Sequence, residues 1–583
     1  MTRTIDESRE LGRKRLERAD SARMRFATAT SRVAGGLGAA IILFLIVAPI
    51  GFLVFGSLRS GSPGEPGATF TLDNWAFAFG PEGLGYLASS LQLGVVTAAF
   101  SIVLGVAIAW LVVRTDVPGR RVLGGLMIIP LLFSPLMTTL AWIGLADPNT
   151  GLLNALLNLL RLPPFLDIYS FPGLVFVLVL HFTPYVYVAV RPALRAVGSD
   201  LEDASRILGA GTPGTLRRVT LPLIMPAILS SGFLVFVLAA EEFSVAAILG
   251  RNSGFLTIPY AIYGSFARFP PDAGIGSALG LMLTILVVIG MVFYLWVLRR
   301  QSKYVTVSGK GARVAATELP GAVRWIGTAL LVGYLFISVV LPYAMLIMGS
   351  FSKYFSIKHL GWDLFTTDNY RSMFESNAFW SALQNTVILV IATGVIAVVI
   401  GVFAAWTSLR GRGRARKLID YAVTLPVLVP GVAMGLGMLW AYIYIPTGLY
   451  GTLGILLIAY ITRYMGHGSR IATSSLIQLS PELEEAAHTL GSSRLRAFWT
   501  ITLRMLAPGL AAAWILIVVF SSIEVPASVM LYTGNSMPMS VFIYLTMYGG
   551  VVSQAFAPAA FLATTIFICI ILAQWRFKVF EYL

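Results

Sequence analysis

From Tyr421 to Thr462 the chain runs for 42 residues without one Asp, Glu, Lys or Arg. A helix crosses a bilayer in roughly 20 residues, so this run is long enough to cross twice. Pro446-Thr447-Gly448 near its middle is a turn signal. The run therefore reads as two membrane helices, about 420–444 and 446–469. Composition places the rest of the chain in the same solvent. Of 583 residues, 57% are hydrophobic and only 12% charged, where a soluble globular chain carries about a quarter charged residues.

Ten further apolar segments have the same character. The first, 33–58, is too long for the core of a cleaved signal peptide and reads as a membrane helix. Five more follow at about 87–113, 122–146, 171–193, 219–248 and 275–298. The second half adds about 325–350, 380–408, 505–531 and 556–576 to the two above. The stretch 532–555 is apolar enough to dip into the membrane as a thirteenth segment. The expected fold is all-α and membrane-integral, with about 12 transmembrane helices.

Charge placement sets orientation. The net charge of +15 suggests nucleic acid until its distribution is examined, because the basic residues collect at the ends of apolar segments. Lys and Arg accumulate on cytoplasmic loops of membrane proteins. One set of loops, together with both termini, holds most of the 42 basic residues. The opposite loops hold only Arg59, Arg161, Arg251, Arg268, Lys353, Lys358 and Arg371. Both termini are thus expected in the cytoplasm. The four histidines show no metal-ligand spacing, no metal site is assigned, and Cys569 is a lone cysteine in the last apolar segment.

The chain repeats itself. Asp203-Ala204-Ser205 is followed by Gly209, Val219, Leu221 and Pro222. Glu485-Ala486-Ala487 is followed by Gly491, Ile501 and Leu503. Acid to glycine is six positions in both islands, acid to the late leucine eighteen, and the islands lie 282 positions apart. Thr71-Leu72-Asp73-Asn74-Trp75 matches Thr366-Thr367-Asp368-Asn369-Tyr370, and Pro130 and Pro135 match Pro426 and Pro430. Six membrane segments per half make the repeat parallel, related by an axis along the membrane normal. The division is a cytoplasmic extension at 1–32, a first domain at 33–298, a linker at 299–324 and a second domain at 325–583. The first half carries about 15 extra residues near 155–170, assigned to an external loop.

Each island begins with a helix signal. Ser480-Pro481-Glu482-Leu483-Glu484-Glu485 places Ser at an N-cap, Pro at the first helical position and acids in the first turn. Gly198-Ser199-Asp200 opens the first island more weakly. Gly209 and Gly491 permit a left-handed turn after about two helical turns, and a basic segment then re-enters the membrane.

The pattern Glu-Ala-Ala, three residues, Gly, nine residues, Ile, one residue, Leu-Pro resembles the cytoplasmic loop of binding-protein-dependent ABC importer permeases. The second island has every element except the final Pro, replaced by Arg504. The first has Asp203, Ser205 and Val219 as substitutes and keeps Leu221-Pro222. The resemblance implies the importer permease fold, present as two six-helix domains fused head to tail in a bacterial inner membrane. It implies that each loop forms a coupling helix seated in a groove of a cytoplasmic ATPase. The contact set carried over is Asp203, Ala204 and Gly209 with Glu485, Ala486, Ala487 and Gly491. It further implies two ATPase copies, an external substrate-binding protein, and ATP and Mg used by the partner alone. This chain binds no cofactor by that reading and is not an enzyme. No stretch reads Gly, four residues, Gly-Lys-Ser/Thr: Gly309-Lys310 is followed by Gly311, with Tyr304 where the first Gly belongs.

Ionisable residues inside membrane segments are costly and are functional candidates. Glu241, Glu242 and Glu524 qualify, and Glu242 and Glu524 share the 282-residue offset, as do His181 and Arg463. These five form the candidate translocation path. Structural pairing by neighbouring helices is the competing role. Fused halves with an acid before Phe243 resemble ferric iron permeases most closely. Related permeases serve aminoethylphosphonate, thiamine, sulfate and polyamines. A secondary transporter driven by an ion gradient is the alternative of another class.

Overall fold

A computed structural model describes residues 36, 38–301, 319–354, 362–410, 419–420, 422–423, 425–480 and 482–577. The extension 1–32, most of the linker and Pro481 fall outside the described residues. Within them the chain is helical. The only strand-like features there are two antiparallel single-residue bridges, Arg59 to Phe70 and Ser352 to Phe365.

Nine helices among the described residues are long and apolar enough to cross a membrane. They are Gly38–Ser57, Pro81–Arg114, Phe171–Ala196, Thr212–Ala240, Ala273–Val292, Gly321–Ser350, Asn377–Leu409, Phe498–Ser522 and Val552–Trp575. A tenth is the pair Arg120–Leu132 and Pro135–Ala146, bent by 96°. Pro135 opens the second member; a proline has no N–H to continue the preceding helical ladder. The two remaining sequence segments are also helical. One is a 3-10 turn at Leu425–Leu428 followed by Gly431–Tyr444, which repeats the broken pair. The other, Leu453–Ile477, has 25 residues and carries Arg463, His467 and Arg470, which lowers its apolar character.

Two expectations about boundaries change. The fifth segments stop at Ala240 and Ser522 rather than at 248 and 531. A carboxylate two residues past each end, Glu242 or Glu524, starts a new turn, as described below. The stretch 532–555 forms no full crossing. Its helix, Met539–Tyr548, has 10 residues, matching Ile258–Ala267 in the first half.

The repeat is visible in small fixtures. Asn74 donates its amide to the carbonyls of Ser57 and Arg59, and Asn369 to those of Ser350 and Ser352. Each clamps a short helix, Asp73–Ala78 or Asp368–Glu375, onto the end of a half's first span. The extra residues of the first half form helix Leu152–Leu159 and a loop held by Asn154, which donates to the carbonyls of Asp147 and Leu166.

The halves are interleaved. Phe55 on the first span packs edge-on against Trp440 and Tyr444 of the second half. Trp440 donates to Ser277 at 3.0 Å, and Tyr334 on the second half's first span donates to the Leu180 carbonyl at 2.9 Å. Each first span thus packs against the opposite half. Buried Trp440 and Tyr334, with their polar tips satisfied, fix that arrangement more specifically than aliphatic contact alone.

Candidate functional site: two exposed helices and a buried charge cluster

The islands fold as the acid and glycine signals require. In the first, helix Ser199–Ile207 ends at Gly209, whose φ is +86°. In the second, Glu482–Thr489 ends at Gly491, with φ of +82°. A side chain is strained in that region and glycine is not. The closing bonds are the same: Leu208 and Ala210 donate to the Ala204 and Ser205 carbonyls, and Leu490 and Ser492 to those of Ala486 and Ala487. The six-to-one bond and the left-handed glycine together make a Schellman termination. Ser480 Oγ accepts from the Glu482 N–H at 3.3 Å, close to the capping role expected of it.

Asp203, Ala204, Gly209, Glu485, Ala486 and Gly491 are exposed, and Ala487 is half-buried. Ile207, Leu208 and Leu490, at the glycine ends of the same helices, are 85%, 87% and 89% exposed. Each island therefore offers an acid, small residues and a bare aliphatic tip.

Two carboxylates that sequence reasoning passed over face the other way. Glu202 is buried and accepts from Thr220 Oγ1 at 2.8 Å. Glu484 accepts from Thr502 Oγ1 at 2.7 Å. Glu202 also lies 3.5 Å from Arg114, which is buried at the end of Pro81–Arg114 and donates to the Leu194 and Val197 carbonyls. The signal was available: 202 and 484, and 220 and 502, share the 282-residue offset. Both threonines close a wide helical turn, Leu216–Thr220 or Phe498–Thr502, just before the fifth span. Proline does not set that turn, because Arg504 stands where the first half has Pro222.

One departure from the motif has a partner of its own. Ser205 Oγ lies 3.2 Å from Thr215 Oγ1. In the second half both positions are alanine, Ala487 and Ala497. A polar pair has replaced an apolar pair at one contact.

At the far ends of the fifth spans the structure brings together Glu241, Glu524 and Arg463, across the boundary between halves. Arg463 Nε is 3.1 Å from Glu524 Oε2 and its Nη2 4.0 Å from Glu241 Oε1. Tyr464 donates to Glu524 at 2.5 Å. Glu241 and Glu524 are both buried, and Glu241 Oε2 has no hydrogen-bond partner among the described residues. Glu242 is spent on backbone: it accepts from the Ser244 and Val245 N–H groups. Glu524 does the same for Ala527, the counterpart of Val245. These caps begin the short turns that end the fifth spans early. His181, the counterpart of Arg463, is buried with Nδ1 unpartnered among the described residues. Arg463 has joined the carboxylates, and His181 has no bond of its own to them among the hydrogen bonds and ion pairs described. No group of three or more His, Cys, Asp or Glu side chains fit to hold a metal ion occurs among the described residues.

Residues 101–303 and 397–581 match the family described as "Binding-protein-dependent transport system inner membrane component", once in each half and over more than half of the chain. The ferric transport system permease protein of Actinobacillus pleuropneumoniae is 28% identical over 412 residues, 70% of this chain and 59% of that protein. The Fe(3+)-transport system permease protein 2 of Haemophilus influenzae is 25% identical over 80% of this chain and 85% of its own. A solved bacterial ABC transporter involved in the import of the acidic polysaccharide alginate is similar at 18% identity and a TM-score of 0.37, over 44% of this chain and 99% of that one. This chain spans about three fifths of the length of the Actinobacillus relative.

Proposed function

The chain belongs to the binding-protein-dependent transport system inner membrane component family, and from that premise we propose that it is a transmembrane permease subunit of an ATP-driven importer, with two permease domains on one polypeptide. The domains are 33–298 and 325–583, joined by the cytoplasmic linker 299–324, with 1–32 and the C-terminus also cytoplasmic. Two copies of a separate ATPase dock on the islands, and a binding protein delivers cargo at the opposite face. The chain itself hydrolyses no ATP; ATP and Mg are used by the partner.

The observation that carries this reading is the pair of bare aliphatic tips. Leu208 and Leu490 are equivalent side chains, both almost fully exposed, each beside a left-handed glycine and a short acid-bearing helix. Large apolar side chains left in water on the polar side of a membrane protein mark a surface that another protein covers. Asp203 and Glu485 on the same helices supply a charge for a basic groove in that partner.

The cargo proposed is ferric iron, from the names of the relatives above and from the acidic excess at the boundary between halves. Glu241 and Glu524 share one guanidinium, Arg463, and Glu242 adds a third carboxylate beside them on the first half's chain. A cation is the cargo such a boundary tolerates best.

Purification with candidate ATPases tests the first part. Leu208→Asp together with Leu490→Asp should abolish ATPase retention and transport, and so should Lys at 203 and 485. Full retention in these variants would sink the docking assignment. Uptake that persists without ATPase, driven by an ion gradient, would point to a secondary transporter. Uptake assays with binding-protein-delivered ferric iron and with aminoethylphosphonate decide the cargo.

A further inference from the structure

The geometry points to Glu202 and Glu484 as positioning residues that tie each exposed helix to the foot of a fifth span, so that displacement of the helix is delivered to the buried charge cluster. This rests on the reading of the chain as an ATP-driven permease and adds a route for the motion.

Three observations converge. The first is repetition amid divergence. Between the islands Asp203 has become Glu485, Ser205 Ala487, Thr215 Ala497 and Pro222 Arg504. The Glu–Thr pair is unchanged in identity, spacing and bond length: 2.8 Å between Glu202 and Thr220, 2.7 Å between Glu484 and Thr502. The second is cost. Glu202 and Thr220 are 6% and 2% exposed, and a carboxylate so placed is destabilising unless it is paired and hydrogen-bonded. An aliphatic pair would glue the helix down more cheaply, but without direction. A carboxylate–hydroxyl bond at one fixed length holds one orientation.

The third is position. The threonines sit at the last residue of the wide turns Leu216–Thr220 and Phe498–Thr502, each continuing directly into a 20-residue helix, Leu221–Ala240 or Leu503–Ser522. A wide turn is a local loosening of the helical ladder. The side-chain bond spans that loosening and makes the island helix and the span move together. At 1.5 Å per residue each span is about 30 Å long. Its far end is followed at once by Glu241 and Glu242, or within two residues by Glu524. On the first island Arg114 adds a second tie, from Glu202 to the ends of two neighbouring helices.

The test uses the full chain bound to its ATPases, with Cys569→Ser and Ser244→Cys added. Ser244 is buried beside the Glu242 carboxylate. The readout is the rate of maleimide labelling with and without ATP, which needs no cargo. In the parent, ATP should change the rate by about tenfold, the usual scale of coupling between sites. Thr220→Val with Thr502→Val keeps shape and removes the hydroxyl. It should retain the ATPases and lose the labelling response. Thr220→Ser with Thr502→Ser should restore it. An undiminished response in the Val pair overturns the proposal. So does a response that falls only in step with ATPase retention, since that is the mark of a folding role. A parent that retains no ATPase removes the permease reading itself, and the proposal with it.

Discussion

At the feet of the fifth spans the two halves share one side-chain bond. Glu202 and Thr220 on one side, and Glu484 and Thr502 on the other, make the same bond 282 residues apart. At the heads they differ. Arg463 of the second half reaches Glu524 and approaches Glu241, while its counterpart is His181, and the counterpart of Glu241 is Ile523. A duplicated chain keeps its two ends under different demands. Under the function proposed above, the feet would present one surface twice, to two copies of one partner. The heads meet across the boundary between halves, where two identical cations or two identical surplus acids would repel. One half supplies the extra acid and the other the base.

The largest expected effect breaks that asymmetry. Arg463→Gln leaves buried carboxylates without their cation and should cost about 3–5 kcal/mol, read as a drop in the thermal midpoint of the detergent-solubilised protein. Adding Glu524→Gln should recover part of the loss. His181→Gln, at the counterpart position, should cost far less because the ring makes no ion pair in the cluster. Equal losses at 463 and 181 would mean that the heads are no more different than the feet. Glu241→Gln sharpens the same point. Its nearer oxygen is 4.0 Å from Arg463 and the other is unpartnered among the described residues, so the long ion pair lost on neutralisation is offset by the buried charge removed, and the change in stability should be small, about 1 kcal/mol. A loss of ferric uptake with stability intact would separate cargo passage from packing.

The feet should respond alike. An alanine Cβ at Gly209 or Gly491 meets no atom within 4 Å, so crowding contributes nothing and only the positive φ does. Gly209→Ala and Gly491→Ala should each cost about 1–2 kcal/mol, seen as equal shifts in thermal midpoint. Unequal shifts would show that the two terminations are not equivalent.

How much of this was legible in the sequence depends on the range of the interaction. The islands, their helices and their glycines were readable because cap, acid and left-handed turn are local signals within about ten residues. The duplication was readable because the 282-residue offset survives in polar residues such as Glu242 and Glu524. The ends of the fifth spans were not, because hydropathy carries on past Ala240 and Ser522 while the break is made by carboxylates accepting backbone N–H groups. The partition of five ionisable residues into one ion-paired group, one backbone cap and one separate histidine was not readable either. It depends on which helix of one half faces which of the other. Glu202 lay in plain view beside Asp203; only burial tells which of two adjacent acids turns inward.

The smallest expected effect concerns a place where the feet do differ. Ser205 and Thr215 share a hydroxyl contact at 3.2 Å, with Thr215 buried, where the second half has Ala487 and Ala497. Ser205→Ala alone strands the Thr215 hydroxyl and should cost about 1 kcal/mol, since an unmade bond to a buried polar group is what destabilises. Thr215→Ala alone loses the bond but frees a hydroxyl on half-exposed Ser205, where water can reach it, and should cost less. The double substitution installs the second half's own solution, and its cost should fall below the sum of the two. The coupling in that double-mutant cycle measures the pair directly. A strictly additive cycle would show that the hydroxyls do not act together, and that the serine in the first island is only a tolerated alanine.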